Sequence, residues 1–186
     1  MLAVGSGIIF TKFSLLKPRV LFSRVAVVAP HDQGRALLFR MANERKSPIV
    51  DAKVQAMLVV DEPGPDGEGV RRVRDLPLAR GGSALFTHAW TAIHPIGRDS
   101  PLAGHDARTL AAANGEVIVT LTGFDEGLLR TTHARHVYRA KAIRFGARFR
   151  DIVRALPNGL RAVDYRKFHD AVPVEDAAAV RKVRSS

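Results

Sequence analysis

The sequence predicts an all-β domain of the sandwich type. Every even position from Val50 to Val60 is apolar and the odd positions Asp51, Lys53 and Gln55 are polar, and this period of two is typical of a strand with one face on a core and the other in solvent. Roughly eight short strand-like segments also follow one another with turns every 8–12 residues, as in β-sandwiches. The chain has 186 residues, 46% of them hydrophobic, which is enough for one such domain with an adequate core.

The segment Val50–Val60 is the longest well-patterned strand, and we expect it to lie at the centre of a sheet. Its even positions from Val50 onward are apolar and should face the core, which leaves Asp51 on the solvent face. The elements predicted before it are strands at Val20–Phe22 and Val25–Ala29, a turn at Pro30–Gly34, a strand containing Leu37–Phe39 and a turn at Lys46–Pro48.

The elements after this strand continue the same pattern, with a single short helix. They are an acidic turn at Asp61–Gly69, a strand at Val70–Leu78, a loop at Gly81–Ser83, a helix at Asp106–Ala113, strands at Glu116–Gly123, Thr131–Tyr138 and Ile143–Phe149, a turn at Leu156–Leu160, and a helical turn at Asp164–Phe168. Asp106 is placed to cap the helix.

The charge balance indicates a polyanionic neighbour. Lys and Arg number 29 against 18 acidic residues, a formal charge of +11. Nucleic acid, an anionic membrane surface and phosphorylated ligands would all fit that excess. The basic residues are scattered rather than gathered in one block, and only 6% of the residues are aromatic, so nothing predicts a platform for stacking bases.

The N-terminal segment Leu2–Phe10 is apolar, but it is too short to span a bilayer, which takes about 20 apolar residues. It also lacks the basic n-region and cleavage site of a signal peptide. Two interpretations stay open: a buried first element, or the end of a membrane helix whose earlier part lies outside this sequence. The basic residues after it are typical of the cytoplasmic side of a membrane: Lys12, Lys17 and Arg19.

No catalytic or metal-binding pattern is evident, and we expect a non-enzymatic protein without a cofactor. The chain has no cysteine, which excludes disulfides and thiolate metal sites. His133 and His136 are three apart on a predicted strand, so they should lie on opposite faces and not share an ion. His94 precedes a proline, and we interpret it as a core or capping residue. Neither a G-x-S-x-G elbow nor a P-loop occurs.

Several short motifs occur in a fixed order along the chain. They are Arg40-x-Ala42-Asn43-x-Arg45, Ile49-Val50-Asp51-Ala52, Trp90-Thr91-x-x-His94-Pro95-Ile96, Asp99-Ser100-Pro101-Leu102, Gly123-Phe124-Asp125-Glu126, Thr132-His133-Ala134-Arg135-His136-x-Tyr138, Ile143-x-Phe145-Gly146 and Val163-Asp164-Tyr165-x-x-Phe168-His169. Together they resemble the cytoplasmic domain of inward-rectifier potassium channels of the prokaryotic kind, over about residues 1–170.

The resemblance implies an immunoglobulin-like β-sandwich, four copies of which surround a cytoplasmic pore for potassium ions. Residues 1–13 would be the helical end of the pore-lining inner helix, 14–19 a basic linker, 20–170 the gating domain and 171–186 a loose tail. It further implies a homotetramer on the cytoplasmic side of a bacterial inner membrane, in contact with anionic lipids and with no nucleic-acid partner.

The resemblance also assigns roles to individual residues. The linker residues Lys12, Lys17 and Arg19 would meet anionic lipid headgroups, where each basic residue gains roughly 1 kcal/mol. Asp51 would face the cytoplasmic pore and concentrate cations. The second acidic pore position of eukaryotic relatives is Thr122 here, which implies weak block by polyamines.

The loop Phe124–Thr131 would narrow the pore near the membrane in the resembling family. The large residues expected to form the constriction lie within it: Phe124, Leu128, Leu129, Arg130 and Thr131. Arg45 and Arg135 match positions that couple the sandwich to this loop and to the linker.

One part of the resembling channels has no counterpart in this sequence. There is no T-x-G-[YF]-G filter run and no membrane span, and selective conduction needs the carbonyl ring of the filter. We therefore expect no conduction by this chain alone. The alternative function that stays open is a stand-alone basic β-sandwich that binds anionic lipid or nucleic acid.

Overall fold

The computed structural model describes residues 20–32, 34–66, 68–155 and 161–174. The predicted inner-helix segment, the linker with Lys12, Lys17 and Arg19, and the turn at Leu156–Leu160 lie outside these residues. The strands are β1 (Val20–Phe22), β2 (Ala26–His31), β3 (Gly34–Asn43), β4 (Ile49–Pro63), β5 (Gly69–Asp75), β6 (Gly82–Phe86), β7 (Ala89–Ile96), β8 (Glu116–Asp125), β9 (Arg130–Arg139), β10 (Ile143–Phe145), β11 (Ala147–Phe149), β12 (Val153–Ala155), β13 (Arg161–Val163) and β14 (Ala171–Pro173). One α-helix, α1 (Ala107–Ala112), and 3-10 turns at Ala140–Ala142 and Tyr165–Lys167 complete the described elements.

Two five-stranded sheets face each other, which confirms the predicted all-β sandwich. In sheet 1, β3 is central: β7 pairs with one edge, β1 and β2 pair with the other, and β10 adds to β2 in parallel. In sheet 2, β4 is central: β8 and then β9 lie on one side, and β5 and β6 share the other. The prediction that β4 is a sheet centre is therefore correct.

The main core lies between the two sheets and is built from alternate residues of their central strands. Leu37, Phe39 and Met41 of β3 are fully buried against a cluster that includes Leu58 of β4 and Tyr138 of β9. A second, smaller cluster lies on the other side of sheet 1, where Ala42, Ile152 and Phe168 pack together. The C-terminal segment thus covers the outer face of sheet 1. In the described part of the chain the outer face of sheet 2 carries exposed residues such as Lys53, Gln55 and Arg135, and we call it the open face.

The alternation predicted for β4 holds from Ala52 to Leu58, where the even residues are buried and Lys53 and Gln55 are exposed; beyond it Val59 is buried as well as Val60. It fails at the start of the strand. Ile49 is only 2% exposed, and the register shifts between Val50 and Lys53. A β-bulge adds one residue there, so that Ile49 faces the core and Val50 shares the outer face with its partners Leu85 and Phe124. The prediction that Val50 faces inward is wrong for this reason.

Three further element predictions need correction. The predicted loop Gly81–Ser83 is partly strand, because Gly82 and Ser83 begin β6 and pair with β4. The predicted strand Ile143–Phe149 is two strands, separated by Gly146 at φ 67°. Residues 171–173 were assigned to a loose tail, but β14 pairs with β11 and so belongs to the domain.

The short helix begins and ends where the sequence predicts. Asp106 caps α1: its side chain accepts a hydrogen bond from the backbone N–H of Thr109 (2.7 Å), and the Thr109 hydroxyl oxygen accepts one from the backbone N–H of Asp106. This reciprocal pair is a capping box. Leu110, on the buried side of the helix, is fully enclosed in the main core.

His94 is a core histidine, as predicted. It is 3% exposed, and its Nδ1 and Nε2 lie 2.7 Å from the Pro77 carbonyl oxygen and 2.8 Å from Ser100 Oγ. Burial lowers the pKa of His94, and the hydrogen bond to the Pro77 carbonyl offsets this only in part. Burial also lowers the pKa of His136 and of His169.

We therefore expect the domain to lose stability as the pH falls below about 6.5, the unperturbed histidine pKa. Below that value the unfolded chain takes up protons that the folded His94 does not, so acid favours the unfolded state. Urea unfolding at a series of pH values would measure this dependence. Between pH 6.5 and pH 5 the pH dependence of the free energy of unfolding should be smaller in His94→Gln, by an amount that corresponds to the uptake of up to about one proton on unfolding.

His88→Gln is the matched control, because His88 is exposed in the same part of the chain. An unchanged pH dependence in His94→Gln, or an equal loss in His88→Gln, would contradict the assignment to His94.

Candidate functional site

The open outer face of sheet 2 carries the predicted pore residues in successive cross-strand rows. Pairing places Val50 beside Leu85 and Phe124 in the first row. Lys53, Thr122 and His133 form the next row, and Gln55, Thr120 and Arg135 form the third. Side chains paired across neighbouring strands share one face, so Thr122 and Phe124 belong to this surface. Asp51 has no pairing partner, but its carboxylate reaches the surface at Lys53.

Asp51 occupies the bulge between the first two rows. Its backbone is left-handed, at φ 49°, its side chain is 83% exposed, and its carboxylate lies 3.9 Å from the ammonium of Lys53. A non-glycine residue with positive φ is uncommon and often marks a bulge or a functional position. The bulge turns the Asp51 carboxylate into solvent, where a cation can reach it.

Gly123 makes this bulge possible from the opposite strand. A Cβ on Gly123 would come within 2.5 Å of Ile49 Cγ2 and 3.1 Å of both Ala52 Cα and Val50 O. Real Cβ atoms essentially never approach another heavy atom as closely as the first of these contacts. Glycine is therefore required where β8 crosses the bulge of β4.

The loop between β8 and β9 is held by one buried carboxylate, that of Asp125. It is 1% exposed, and its Oδ1 accepts hydrogen bonds from Ser47 Oγ (3.1 Å) and from the backbone N–H groups of Gly127 (3.0 Å) and Leu128 (3.1 Å). Its Oδ2 lies 3.4 Å from Arg45 Nε in an ion pair. We call Arg45, Ser47 and Asp125 the loop clasp, because they fasten this loop to the turn between β3 and β4.

Asn43 shapes the turn that brings Arg45 and Ser47 to the loop. Its side-chain amide donates to the carbonyl oxygens of Ser47 (2.9 Å) and Phe86 (3.1 Å), and its Oδ1 accepts from the backbone N–H of Arg45 (2.9 Å). A buried amide with its bonds satisfied in this way fixes the local backbone. Arg45 itself is only 20% exposed, so its ion pair with Asp125 is shielded from solvent.

The loop presents large apolar side chains to solvent. Leu129 is 79% exposed and has a backbone φ of 50°, while Phe124 is 39% exposed and Leu85, beside it in the first row, is 56% exposed. Leu128 is partly buried, and Arg130 and Thr131 are exposed at the start of β9. Exposed apolar clusters of this kind are typical of surfaces that meet a partner or line a passage.

The structure brings some of the predicted site residues together and separates others. Asp51, Thr122 and the loop Phe124–Thr131 lie along one face, and Arg45 contacts that loop through Asp125. Arg135 lies two rows away, exposed, with no ion pair or hydrogen bond of its side chain among the described residues. Coupling between Arg135 and the loop remains a prediction.

Four residues that shape the bulge and the loop clasp are absent from the predicted set: Asn43, Ser47, Gly123 and Asp125. All of them except Ser47 occur within the motifs quoted above, so the motifs were the available signal. Their roles depend on burial and on a bulge between strands, and a single sequence reveals neither.

Comparison with known proteins gives the chain its family. The family described as "Inward rectifier potassium channel C-terminal domain" matches residues 20–185, which is most of the chain. This chain belongs to that family. The assignment agrees with the resemblance found in the sequence, and it favours the channel-domain interpretation over a stand-alone basic sandwich.

Individual relatives within the family include bacterial and vertebrate channels. The inward rectifier potassium channel Kirbac3.1 of Paramagnetospirillum magnetotacticum is 37% identical over 169 residues, which are 91% of this chain and 57% of the relative. The ATP-sensitive inward rectifier potassium channel 12 of Gallus gallus is 35% identical over 175 residues, 90% of this chain and 41% of the relative. The mouse ATP-sensitive inward rectifier potassium channel 8 is 35% identical over 179 residues, which are 92% of this chain and 42% of the relative.

The chain therefore spans about half the length of the relatives it matches, over their C-terminal domain. Within residues 20–32, 34–66, 68–155 and 161–174, no helix has the length and apolar character needed to cross a bilayer. One solved structure, Spo0M, a sporulation control protein from Bacillus subtilis, aligns at 12% identity with a TM-score of 0.34, which is too low to bear on fold or function.

Proposed function

We propose that this domain is the cytoplasmic gating and ion-conduction domain of an inward-rectifier potassium channel at the inner face of a bacterial membrane. Four copies surround an axial pore for potassium ions, and the outer face of sheet 2 lines it. Asp51 supplies the inward carboxylates that concentrate cations. The loop Phe124–Thr131 forms the narrow part, and anionic lipids bind the linker through Lys12, Lys17 and Arg19.

The observation that carries this proposal is the arrangement at one end of sheet 2. An exposed carboxylate on a bulge, Asp51, lies beside Lys53, in the row next to the one that contains the exposed Phe124, and the exposed Leu129 follows in the loop after β8. Rings of acidic side chains and apolar constrictions are both devices that cation channels use. This end of the sheet supplies both, in a chain that belongs to a channel-domain family.

Gating then acts through the loop clasp. Asp125 ties the loop to Ser47 and Arg45, so a shift of the turn between β3 and β4 moves the loop with it. A ligand or lipid that binds one arrangement of this turn more tightly than another would shift the population between open and closed constrictions.

The test is potassium flux through a chimaera in which residues 20–174 replace the matching segment of Kirbac3.1. Reconstituted in liposomes, the chimaera should conduct. The variant Asp51→Lys should conduct severalfold less potassium, because it places positive charge where cations collect.

Asp32→Lys is a closely matched control. Asp32 also has a backbone φ of 49° and a side chain that is 86% exposed, but it lies in the turn between β2 and β3. Equal flux in the two variants, or a folded chimaera that conducts as well with Asp51→Lys as without it, would contradict the pore role of Asp51.

A further inference from the structure

A second surface, away from the outer face of sheet 2, has the character of a binding site for an anion. A groove of about 590 Å³ lies between β11, β14 and the 3-10 turn at Tyr165–Lys167. Three cations line it, together with a single carboxylate and an apolar floor: Arg148, Arg150, Lys167, Asp151, Val172 and Pro173. The pairing of β11 with β14 sets Arg148 directly opposite Val172, which keeps the cations and the apolar floor in register.

The three cations of the groove are not neutralised by the rest of the described chain. The side chains of Arg148, Arg150 and Lys167 make no ion pair or hydrogen bond with any residue that the structure describes. Some surface arginines are paired, as Arg71, Arg72 and Arg74 are with carboxylates of β4 or β8, and others, such as Arg135, are not paired within the described part of the chain. The groove is set apart because its three unpaired cations line one concavity.

A buried cation lies under the same segment. Arg40 of β3 is 7% exposed, its Nη2 donates to the Arg150 carbonyl oxygen (2.6 Å), and its guanidinium lies 4.4 Å from the centre of the Phe149 ring. Its Nε and Nη1 have no hydrogen-bond partner among the described residues. Burial lowers the pKa of Arg40, and the nearby charge of Asp151 opposes that shift. A buried guanidinium with unsatisfied N–H groups adds positive potential beneath the groove.

We propose that this groove binds a multiply charged phosphate group. Two guanidinium forks and an ammonium line one concavity, and arginine binds phosphate oxygens through paired hydrogen bonds. The apolar floor of Val172 and Pro173 admits the uncharged remainder of a phosphorylated ligand. This site is separate from the proposed pore, and it stands or falls independently of it.

A soluble polyphosphate and a lipid headgroup share this chemistry, and one experiment separates them. Binding of inorganic triphosphate is measured by calorimetry, and binding to vesicles of phosphatidylglycerol in phosphatidylcholine is measured by sedimentation. The double variant Arg148→Gln with Arg150→Gln should bind the relevant probe about tenfold more weakly or worse, since two charge-assisted contacts are lost. Asp151→Asn should bind it more tightly, because it removes the carboxylate that lines the groove.

The control is the double variant Arg98→Gln with Arg144→Gln, which removes the same charge from exposed positions outside the groove. Selective weakening of triphosphate binding supports a soluble ligand, and selective weakening of vesicle binding supports a lipid headgroup. Equal weakening in the two double variants, or no binding of either probe by the parent chain, would overturn the proposal. Thermal unfolding of each variant checks that the fold is kept. The tighter binding expected of Asp151→Asn is a separate test, because a misfolded variant would not bind more tightly.

Discussion

Replacing Asp125 with alanine should lower the free energy of unfolding by about 3 kcal/mol. The change removes the acceptor of three hydrogen bonds, from Ser47 Oγ and from two backbone N–H groups of the loop. It also leaves the largely buried guanidinium of Arg45 without its carboxylate. Buried donors that lose their partner suffer the full cost of desolvation, which exceeds the net value of the bonds themselves. Urea unfolding of the parent and of Asp125→Ala, analysed with a common m-value, would measure the loss.

Asp125→Asn separates hydrogen bonding from charge in the same position. The amide oxygen can still accept from Ser47 and the loop backbone, whereas the attraction to Arg45 is lost, so this variant should be intermediate in stability. Glu126→Ala is the control, because Glu126 is the exposed neighbour on the same loop. A free energy of unfolding for Asp125→Ala within about 0.5 kcal/mol of that of the parent would contradict a stabilising role for the loop clasp.

The same substitution bears on the proposed gating. If the clasp carries motion from the turn between β3 and β4 to the loop, Asp125→Ala should also change potassium flux through the Kirbac3.1 chimaera, while Glu126→Ala should leave it unchanged. If the clasp only stabilises the fold, Asp125→Ala should lower the free energy of unfolding without changing potassium flux through the folded channel. The two readouts therefore distinguish a structural from a positioning role.

How far the sequence predicts this fold depends on which force sets each feature. The alternation in β4 from Ala52 to Leu58 follows from burial of one face, and a period of two in hydrophobicity records that burial directly. The capped helix at Ala107–Ala112 could equally be predicted from the sequence, since its cap is a local interaction between residues three apart. Features set by local chemistry or by simple periodicity were thus predictable.

Features set by contacts between distant segments were not. The bulge at Asp51 depends on Gly123, which is far along the chain, so the inward assignment of Val50 failed. Asp125 is a polar residue at a loop, and such residues are usually exposed. Its burial comes from Ser47 and Arg45 approaching from another turn. The groove lined by Arg148, Arg150 and Lys167 likewise joins β11, β14 and a 3-10 turn, which only the folded chain brings together.

Replacing Gly123 with alanine should lower the free energy of unfolding by about 2 kcal/mol. The added Cβ would come within 2.5 Å of Ile49 Cγ2 and 3.1 Å of the backbone at Ala52 and Val50 O. The closest of these neighbours is a side-chain atom of Ile49, but the other two are backbone atoms in the bulge of β4, so a turn of the Ile49 side chain relieves only part of the clash. The remaining contacts require the two strands to move apart by a few tenths of an ångström at Asp51.

Gly82→Ala is the matched control for this substitution. Gly82 lies on β6, on the other side of β4 from Gly123, and its added Cβ would be 3.7 Å from Ala52 O, an ordinary contact. Urea unfolding should therefore separate the two alanine variants clearly. If they lose stability equally, the close packing of Gly123 on the bulge does not constrain the fold.

A double-mutant cycle identifies the atom responsible. Ile49→Ala removes Cγ2, the closest neighbour of the added methyl group, so the losses of Gly123→Ala and Ile49→Ala should add to more than the loss in the double variant. Strict additivity would place the strain in the backbone contacts with Ala52 and Val50 instead. In that case Gly123→Ala must distort the bulge itself, and the distortion should move Asp51 and lower potassium flux through the chimaera even in channels that stay folded.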